Sequence, residues 1–359
     1  MDIILTLNNW LKKFNRVPQS QKIFFVEHLR VMIRAGISIS AAIDTLAEQA
    51  DNKNFKGILT NIFYDIEKGE SLSSSLAKYP SAFDELFVNM IRAGEATGKL
   101  EEVLERLYIQ MKKNHELLSK IKGALIYPAV ILTAMILIGI GMMVFVIPRI
   151  TPIFKEVGAT LPLATRMLIW VSDFASNNLI VLSVAVIIFV TLLVQLMKTD
   201  KGKMLFDSFL LKMPIISPIV KKINLALFAR TLSSLLKTDI PIVQTFKITS
   251  KVMSNAHYRQ ALLESSEKIK KGVAIKEVVK SYPQLFSPVV VQMIAVGEET
   301  GSLDTILEEL ANFYENEVSQ IMNNLPSIIE PLIILLLGVG VAIMAIAVIM
   351  PLYSLSEQI

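Results

Sequence analysis

Two glutamates in matching surroundings are the residues of this chain whose type and spacing most resemble a working site. Glu95 lies in Gly94-Glu95-Ala96-Thr97-Gly98-Lys99-Leu100, and Glu298 lies in Gly297-Glu298-Glu299-Thr300-Gly301-Ser302-Leu303. A carboxylate beside a threonine hydroxyl can cap a structural corner or make a polar contact point for a partner or for the other copy. The glycines do not form a phosphate cradle, because no Gly-x-x-x-x-Gly-Lys-Ser/Thr run occurs and no strand precedes the turn. His28, His115 and His257 have no second histidine at metal-ligand spacing. Ser71 and Ser73 to Ser75 read as a helix cap without a nucleophile elbow. Cysteine is absent, which removes disulfides, thiolate metal sites and a cysteine nucleophile together. No catalytic residue, cofactor or metal is expected, and the chain reads as something other than an enzyme.

The two motifs are one instance of a duplication. An offset of 203 residues takes Gly94 to Gly297, and the same offset takes Phe25 to Phe228, Leu29 to Leu232, Ile37 to Ile240, Gly69 to Gly272 and Phe83 to Phe286. It carries Tyr79-Pro80 to Tyr282-Pro283, Pro128 to Pro331 and Pro148 to Pro351, with no gap. The histidines map to Thr231, Val318 and Asn54, so the repeat never doubles one. One helical unit is therefore used twice, each copy feeding directly into an apolar segment.

The composition agrees. Of 359 residues, 53% are hydrophobic and 19% charged, with mean hydropathy +0.53 and formal net charge +4. The apolar excess collects in three runs. Gly123 to Pro148, Phe174 to Met197 and Pro331 to Ser356 contain no charged residue, and each is long enough to cross a hydrocarbon core. Lys112, Lys113, Lys120 and Lys122 precede the first run, and Lys198, Lys201, Lys203, Lys212, Lys221 and Lys222 follow the second. The tail after the third has neither Lys nor Arg. Positive residues stay on the cytoplasmic side, so an all-α membrane protein is expected with the N-terminus cytoplasmic and the C-terminus outside. The expected organisation is a short amphipathic segment (1–18), a first cytoplasmic helical domain (19–122), a span (123–148), an outer loop (149–170) and a second span (171–197). A second cytoplasmic domain (198–327), a third span (328–351) and an outer tail (352–359) complete it. The second span returns the chain so that both bundles share one side.

Local signals divide the first copy into six helices, with no stretch alternating as a strand would. They run from Gln19 to Arg34 with a stripe at Phe24 or Phe25, Leu29, Met32 and Ile33; from a Ser38 or Ser40 cap to near Ala50; and from about Lys53 to a stop at Gly69. Then come Ser71 to Lys78, Ala82 to about Glu95, and a long helix from Lys99 into the membrane. The Gly-Glu-x-Thr-Gly-x-Leu element sits at the last corner. There Gly98 and Gly301 permit positive φ, Thr97 and Thr300 can bond backbone, and Leu100 and Leu303 open the next helix. The element reads as a structural corner with a capping carboxylate, or as a contact point for a partner or for the other copy. Tyr127-Pro128 and Glu330-Pro331 mark entry into the first and third spans, where an ionisable Glu330 either marks the interface or is functional. Gly139, Gly141, Gly338 and Gly340 offer small surfaces for close helix packing. At the N-terminus the first residues are too short an apolar run for a signal peptide. Trp10 or Leu11 and Phe14 share one amphipathic face that packs on the first domain or docks a partner or membrane surface.

These features together resemble the type II secretion F/type IV pilus C family of inner-membrane platform proteins. The resemblance runs from Gln19 to Tyr353. It rests on the doubled motif, Leu161-Pro162 with Thr165, Met213-Pro214-Ile215-Ile216-Ser217-Pro218, Arg230-Thr231-Leu232, Ile240-Pro241, and Glu330-Pro331 with Pro351. Asp239 stands where the family usually has glycine, and the N-terminal extension is short. The resemblance implies two homologous six-helix cytoplasmic bundles on three transmembrane helices in the bacterial inner membrane. As partners it implies a hexameric assembly ATPase, inner-membrane alignment proteins, pilin or pseudopilin subunits, the lipid bilayer and further copies of the chain, without nucleic acid. The Trp10, Leu11 and Phe14 segment is then a candidate ATPase-docking element. A secondary transporter or channel built from duplicated units is the competing class.

Overall fold

A computed structural model describes residues 17–156 and 163–356. The segment carrying Trp10, Leu11 and Phe14 and the pair Leu161-Pro162 lie outside the described residues. Among those residues every regular element is helical. The first copy comprises α1 (Gln19–Arg34), α2 (Ile39–Glu48), α3 (Lys53–Glu67), α4 (Leu72–Ala77), α5 (Glu85–Thr97) and the start of α6 (Leu100–Gly141). Side chains punctuate these helices by accepting from backbone N–H groups three residues on. Ser38 accepts from Ala41, Asn52 from Phe55, Ser71 from Ser74 and Asp84 from Phe87. The cap of α2 is Ser38 rather than Ser40, whose hydroxyl bonds Glu67 instead. The fifth helix begins at Glu85 rather than Ala82, because the turn after Tyr79 takes up Ala82 and Phe83 and Asp84 supplies the cap. On α1 the buried stripe is Phe25, Val26 and Leu29, with Phe24 outside.

After the spans, α10 (Asp200–Lys212) leads into the second copy. It comprises α11 (Ile216–Leu236), α12 (Ile242–Val252), α13 (Ala256–Lys270), α14 (Ile275–Lys280), α15 (Pro288–Thr300) and α16 (Leu303–Ser356). Its aromatic core repeats that of the first. Phe25, Phe55, Phe83 and Phe87 meet at centroid distances of 4.8–6.1 Å. Phe228, Phe246, Tyr258 and Phe286 meet at 5.1–6.3 Å. Tyr258 replaces Phe55 and donates its hydroxyl to the Leu285 carbonyl at 2.6 Å, and burial pushes its pKa up. Residues 17–118 and 207–318 form one compact unit in which the two copies lie against each other.

The other unit, residues 119–206 and 319–356, carries the apolar helices. Among the described residues, three helices are long and apolar enough to cross a membrane: Leu100–Pro152, Leu179–Met197 and Leu303–Ile346. Their apolar side chains face outward almost throughout, a surface that only lipid or other apolar helices can cover. The first span does not close at Pro148. A π-helical turn (Met142–Val146) passes into α7 (Ile147–Glu156). Pro148 cannot donate, and its ring crowds the carbonyl four residues back, at Val144, so the ladder widens there. Ser172 donates to the Met143 carbonyl in that turn at 2.5 Å. The 149–170 stretch, expected as a loop, is helical at both described ends, in α7 and α8 (Leu163–Asn177). The 171–197 stretch, expected as one helix, is divided at Asn178 between α8 and α9 (Leu179–Lys198). Ser176 and Asn178 turn their side chains onto the Asp173 and Phe174 carbonyls, the competition that makes these residues weak helix formers. Around Gly139, Gly141, Gly338 and Gly340 no atom of the described residues would come within 4 Å of an added Cβ.

Candidate functional site

Both copies turn their repeated glutamate inward onto backbone. Glu95, on the last turns of α5, accepts from the N–H groups of Leu72 at 2.6 Å and Ser73 at 3.0 Å. Glu298 accepts from Ile275 at 2.7 Å and Lys276 at 3.0 Å. Each carboxylate thus takes up two of the free donors that open a six-residue helix, α4 or α14, too short to stand alone. The negative charge also meets the positive end of the helix dipole. Thr97 and Thr300 bond the carbonyls of Ala93 and Val296 at 2.8 and 2.7 Å, closing the last turn of α5 or α15. Gly98 and Gly301 then adopt φ of 69°, a left-handed corner that glycine enters without strain. The first glycine has a separate duty. A Cβ on Gly94 would stand 3.0 Å from Val103, and one on Gly297 would stand 2.9 Å from the Leu303 backbone. The corner helices cross too closely for any side chain. Leu100 is buried and Leu303 half-buried at the start of the following helix. Each corner is a capped turn, built twice to the same pattern.

A second polar constellation surrounds α11, and its Gln110 bonds join the copies. Arg230 is buried in α11 and grips Glu315 of α16 with two bonds, Nε to Oε1 at 2.7 Å and a terminal nitrogen to Oε2 at 2.8 Å. The same terminal nitrogen donates to Asn312 Oδ1 at 2.6 Å. From the first copy, Gln110 of α6 donates to Thr231 Oγ1 at 3.2 Å and accepts from the Ser234 hydroxyl at 2.9 Å. Ser233 donates to the Asp304 carbonyl at 2.8 Å. Sequence reasoning quoted Arg230 and Thr231 only as part of a resemblance and missed Gln110, Asn312 and Glu315. One signal was available: Arg230 is the sole charge between Lys222 and Lys237. A lone charge in so apolar a run must find a buried partner.

The remaining candidates stay apart. Tyr127 and Glu330 are exposed, beside Pro128 and Pro331 inside α6 and α16. His28 bonds the Phe24 carbonyl through Nδ1 at 2.9 Å, and His257 meets the Ser208 hydroxyl through Nε2 at 2.6 Å. Among the described residues no cluster of His, Asp and Glu is arranged to hold a metal. Near His257, burial and a hydrogen bond to Glu264 push the Tyr282 pKa up to about 12. That bond, with one from Gln260, holds Glu264 below the ordinary carboxylate value.

Similarity to known proteins follows the duplication. The profile of the family described as type II secretion system (T2SS), protein F matches the chain twice, over residues 25–148 and 228–351. The two matched stretches are displaced by the same 203 residues as the internal repeat. The type IV pilus assembly protein PilC of Myxococcus xanthus is 32% identical over 96% of this chain and 83% of its own length. The PilC of Thermus thermophilus is 33% identical, covering 92% of this chain and 81% of that protein. The type II secretion system protein F of Vibrio cholerae is 30% identical, again over 92% and 81%.

Proposed function

Because the chain belongs to the type II secretion system protein F family, we propose that it is the membrane platform of a pilus or secretion machine, coupling a cytoplasmic hexameric ATPase to assembly of a pilin or pseudopilin filament. Relatives bearing both pilus-assembly and type II secretion names support a place in such machinery. The observation that carries the coupling is helical continuity. In each copy the corner after the motif opens a helix, α6 or α16, that runs unbroken from bundle residues into the apolar segment. A load applied to a bundle then reaches the span through backbone hydrogen bonds rather than through a hinge. The chain does this without a nucleotide site, drawing its work from the ATPase. The Trp10, Leu11 and Phe14 segment is a candidate contact for that motor, and inner-membrane alignment proteins flank the spans. Lysine placement supports an N-terminus and both bundles in the cytoplasm, with the C-terminus outside.

Inserting a flexible Gly/Ser linker after Lys120 tests the coupling in cells. Filament assembly or secretion is expected to vanish while the chain still reaches the membrane. Unchanged assembly overturns the mechanical reading. Protease or tag accessibility that places residues 20–110 and 225–315 on opposite sides of the bilayer overturns the platform itself.

A further inference from the structure

Outside the two bundles and the joint between them lies a helix that the duplication does not explain. α10 falls outside both stretches matched by the family profile. Its start is fixed by the end of a span. α9 closes at Lys198, Thr199 is extended, and the Thr199 hydroxyl accepts from the Gly202 N–H at 3.1 Å to cap α10. A Cβ on Gly202 would overlap the Leu196 carbonyl, so the first turn of α10 folds directly onto the last turn of α9. α10 therefore begins at the surface of the bilayer that α9 crosses.

The faces of α10 divide cleanly. Asp207 accepts from the Ala256 N–H at 2.7 Å, and the Ser208 hydroxyl meets His257 Nε2 at 2.6 Å, which holds one side to α13. The opposite side carries Leu205 and Phe209, one turn apart and 73% and 59% exposed, with Phe206 beside them at 40%. Lys201 and Lys212, both exposed, extend the same row at its two ends. Between residues 198 and 222 stand six lysines against two aspartates, and Asp207 is already engaged by the α13 backbone. Lys222 pairs with Glu317 at 2.6 Å. Lys212 and Lys221 instead line a cavity of about 780 Å³ together with Ser208, His257, Tyr282 and Glu264. Glu264 is held there by the Tyr282 hydroxyl and the Gln260 amide. An uncovered apolar row with lysines at its ends, one residue after a span, has the composition of a helix lying in a lipid interface. Its lysines are then within reach of lipid phosphates.

We propose that α10 lies in the headgroup layer at which α9 ends, and that Lys212 and Lys221 hold the phosphate of an anionic phospholipid there. Leu205, Phe206 and Phe209 rest among the upper acyl chains. The inference rests on α9 crossing the bilayer, and not on the ATPase or the filament.

Because the chain has no cysteine, a single label can be placed on the full-length protein. Phe209→Cys carrying an environment-sensitive fluorophore is reconstituted in phosphatidylcholine vesicles at low salt. Traces of phosphatidylglycerol or phosphatidylcholine, spin-labelled high on the acyl chain, serve as quenchers. Blue-shifted emission and quenching by both lipids are expected, with phosphatidylglycerol preferred about fivefold for each lysine engaged. Leu205→Cys should behave alike, whereas Tyr64→Cys, 55% exposed on α3, should show neither effect. Lys212→Gln with Lys221→Gln should abolish the preference and keep the blue shift. Labels at 205 and 209 that are quenched no more than the label at 64 overturn the proposal. So does blue-shifted emission without quenching, which assigns the apolar face to a protein instead of lipid. Equal quenching by the two lipids, or a preference that survives loss of both lysines, overturns the phosphate site. Each of these failures leaves the outcome of the linker insertion after Lys120 unchanged, so the two readings fall separately.

Discussion

The first helices of the two copies descend from one pattern yet do opposite things. α1 fully buries only a stripe of Phe25, Val26 and Leu29, half-buries Ile23, Met32 and Ile33 beside it, and exposes Phe24, Val31 and Arg34. α11 is buried on every side from Asn224 to Leu235. The apolar positions are shared, as Phe25 with Phe228 and Leu29 with Leu232 show. What differs is the far side. There α1 carries His28 and Val31, whereas α11 carries Thr231 and Ser234, short hydroxyls that satisfy Gln110 of the other copy. Duplication preserved the half of each helix that makes a bundle and altered the half that decides what the bundle touches. The charged pair diverged as well: Arg230 and Glu315 occupy the positions of Glu27 and Lys112, with the signs exchanged.

That difference predicts unequal consequences for equivalent substitutions. The largest concerns Arg230, a buried residue whose guanidinium is held by three part-buried bonds. Arg230→Ala leaves the Glu315 carboxylate without its partner in a buried setting, a change that costs about 3–5 kcal/mol. Thermal unfolding of the purified full-length chain in detergent should register it as a large fall in Tm. Replacing both partners, Arg230→Met with Glu315→Leu, should recover much of that fall, because no charge is left buried alone. Glu27→Ala, at the matching position in α1, should shift stability by less than about 0.5 kcal/mol. Equal effects at Arg230 and Glu27 would refute the asymmetry.

The capping corners should differ by less. In the first copy α4 has two side-chain caps, Ser71 on Ser74 and Glu95 on Leu72 and Ser73. In the second copy Ala274 stands at the N-cap of α14 and gives no side-chain bond, leaving the work to Glu298. Glu298→Ala should therefore cost about 2 kcal/mol and Glu95→Ala about 1 kcal/mol, the range for lost caps with charged acceptors. Hydrogen exchange at Ile275 and Lys276, compared with Leu72 and Ser73, gives a local reading of the same contrast. Faster exchange at α4 than at α14 after the paired substitutions would reverse the ranking.

Much of this was legible in the sequence because it is local. Ser38, Asn52, Ser71 and Asp84 cap helices through backbone three residues away, and the Gly-Glu-x-Thr-Gly-x-Leu corner is written in seven consecutive residues. The apolar runs announce the spans by length alone. The joint was not legible, because Arg230, Thr231, Ser233 and Ser234 give α11 the polar content of a solvated face. Their partners lie from 71 to 124 residues away, a separation at which periodicity carries no information. The π turn at Met142–Val146 was hidden for a related reason. A proline in a span predicts disturbance, and the form it takes depends on Ser172 reaching the Met143 carbonyl.

A small effect sits at the turn between the first two helices of each copy, and in the second copy it points in the opposite direction. Gly36 closes α1 with φ of 79°, and its repeat equivalent Asp239 adopts φ of 59° after α11. Asp239 is the one residue other than glycine with positive φ among the described residues. Aspartate tolerates this region better than most residues but still crowds its own backbone there. The compensation available to it is an ion pair with Lys99 at 4.0 Å, between two exposed side chains, which contributes little in water. Relief of the left-handed strain should therefore outweigh loss of that pair. Asp239→Gly is expected to raise stability by about 0.5–1 kcal/mol, although glycine also loosens the unfolded chain. Gly36→Asp should lower it by about 1 kcal/mol, since no crowding forbids the side chain and only the backbone resists. A fall in Tm for Asp239→Gly that high salt abolishes would show instead that Lys99 holds the copies together through this aspartate, and the turn would then belong to the joint rather than to the bundle.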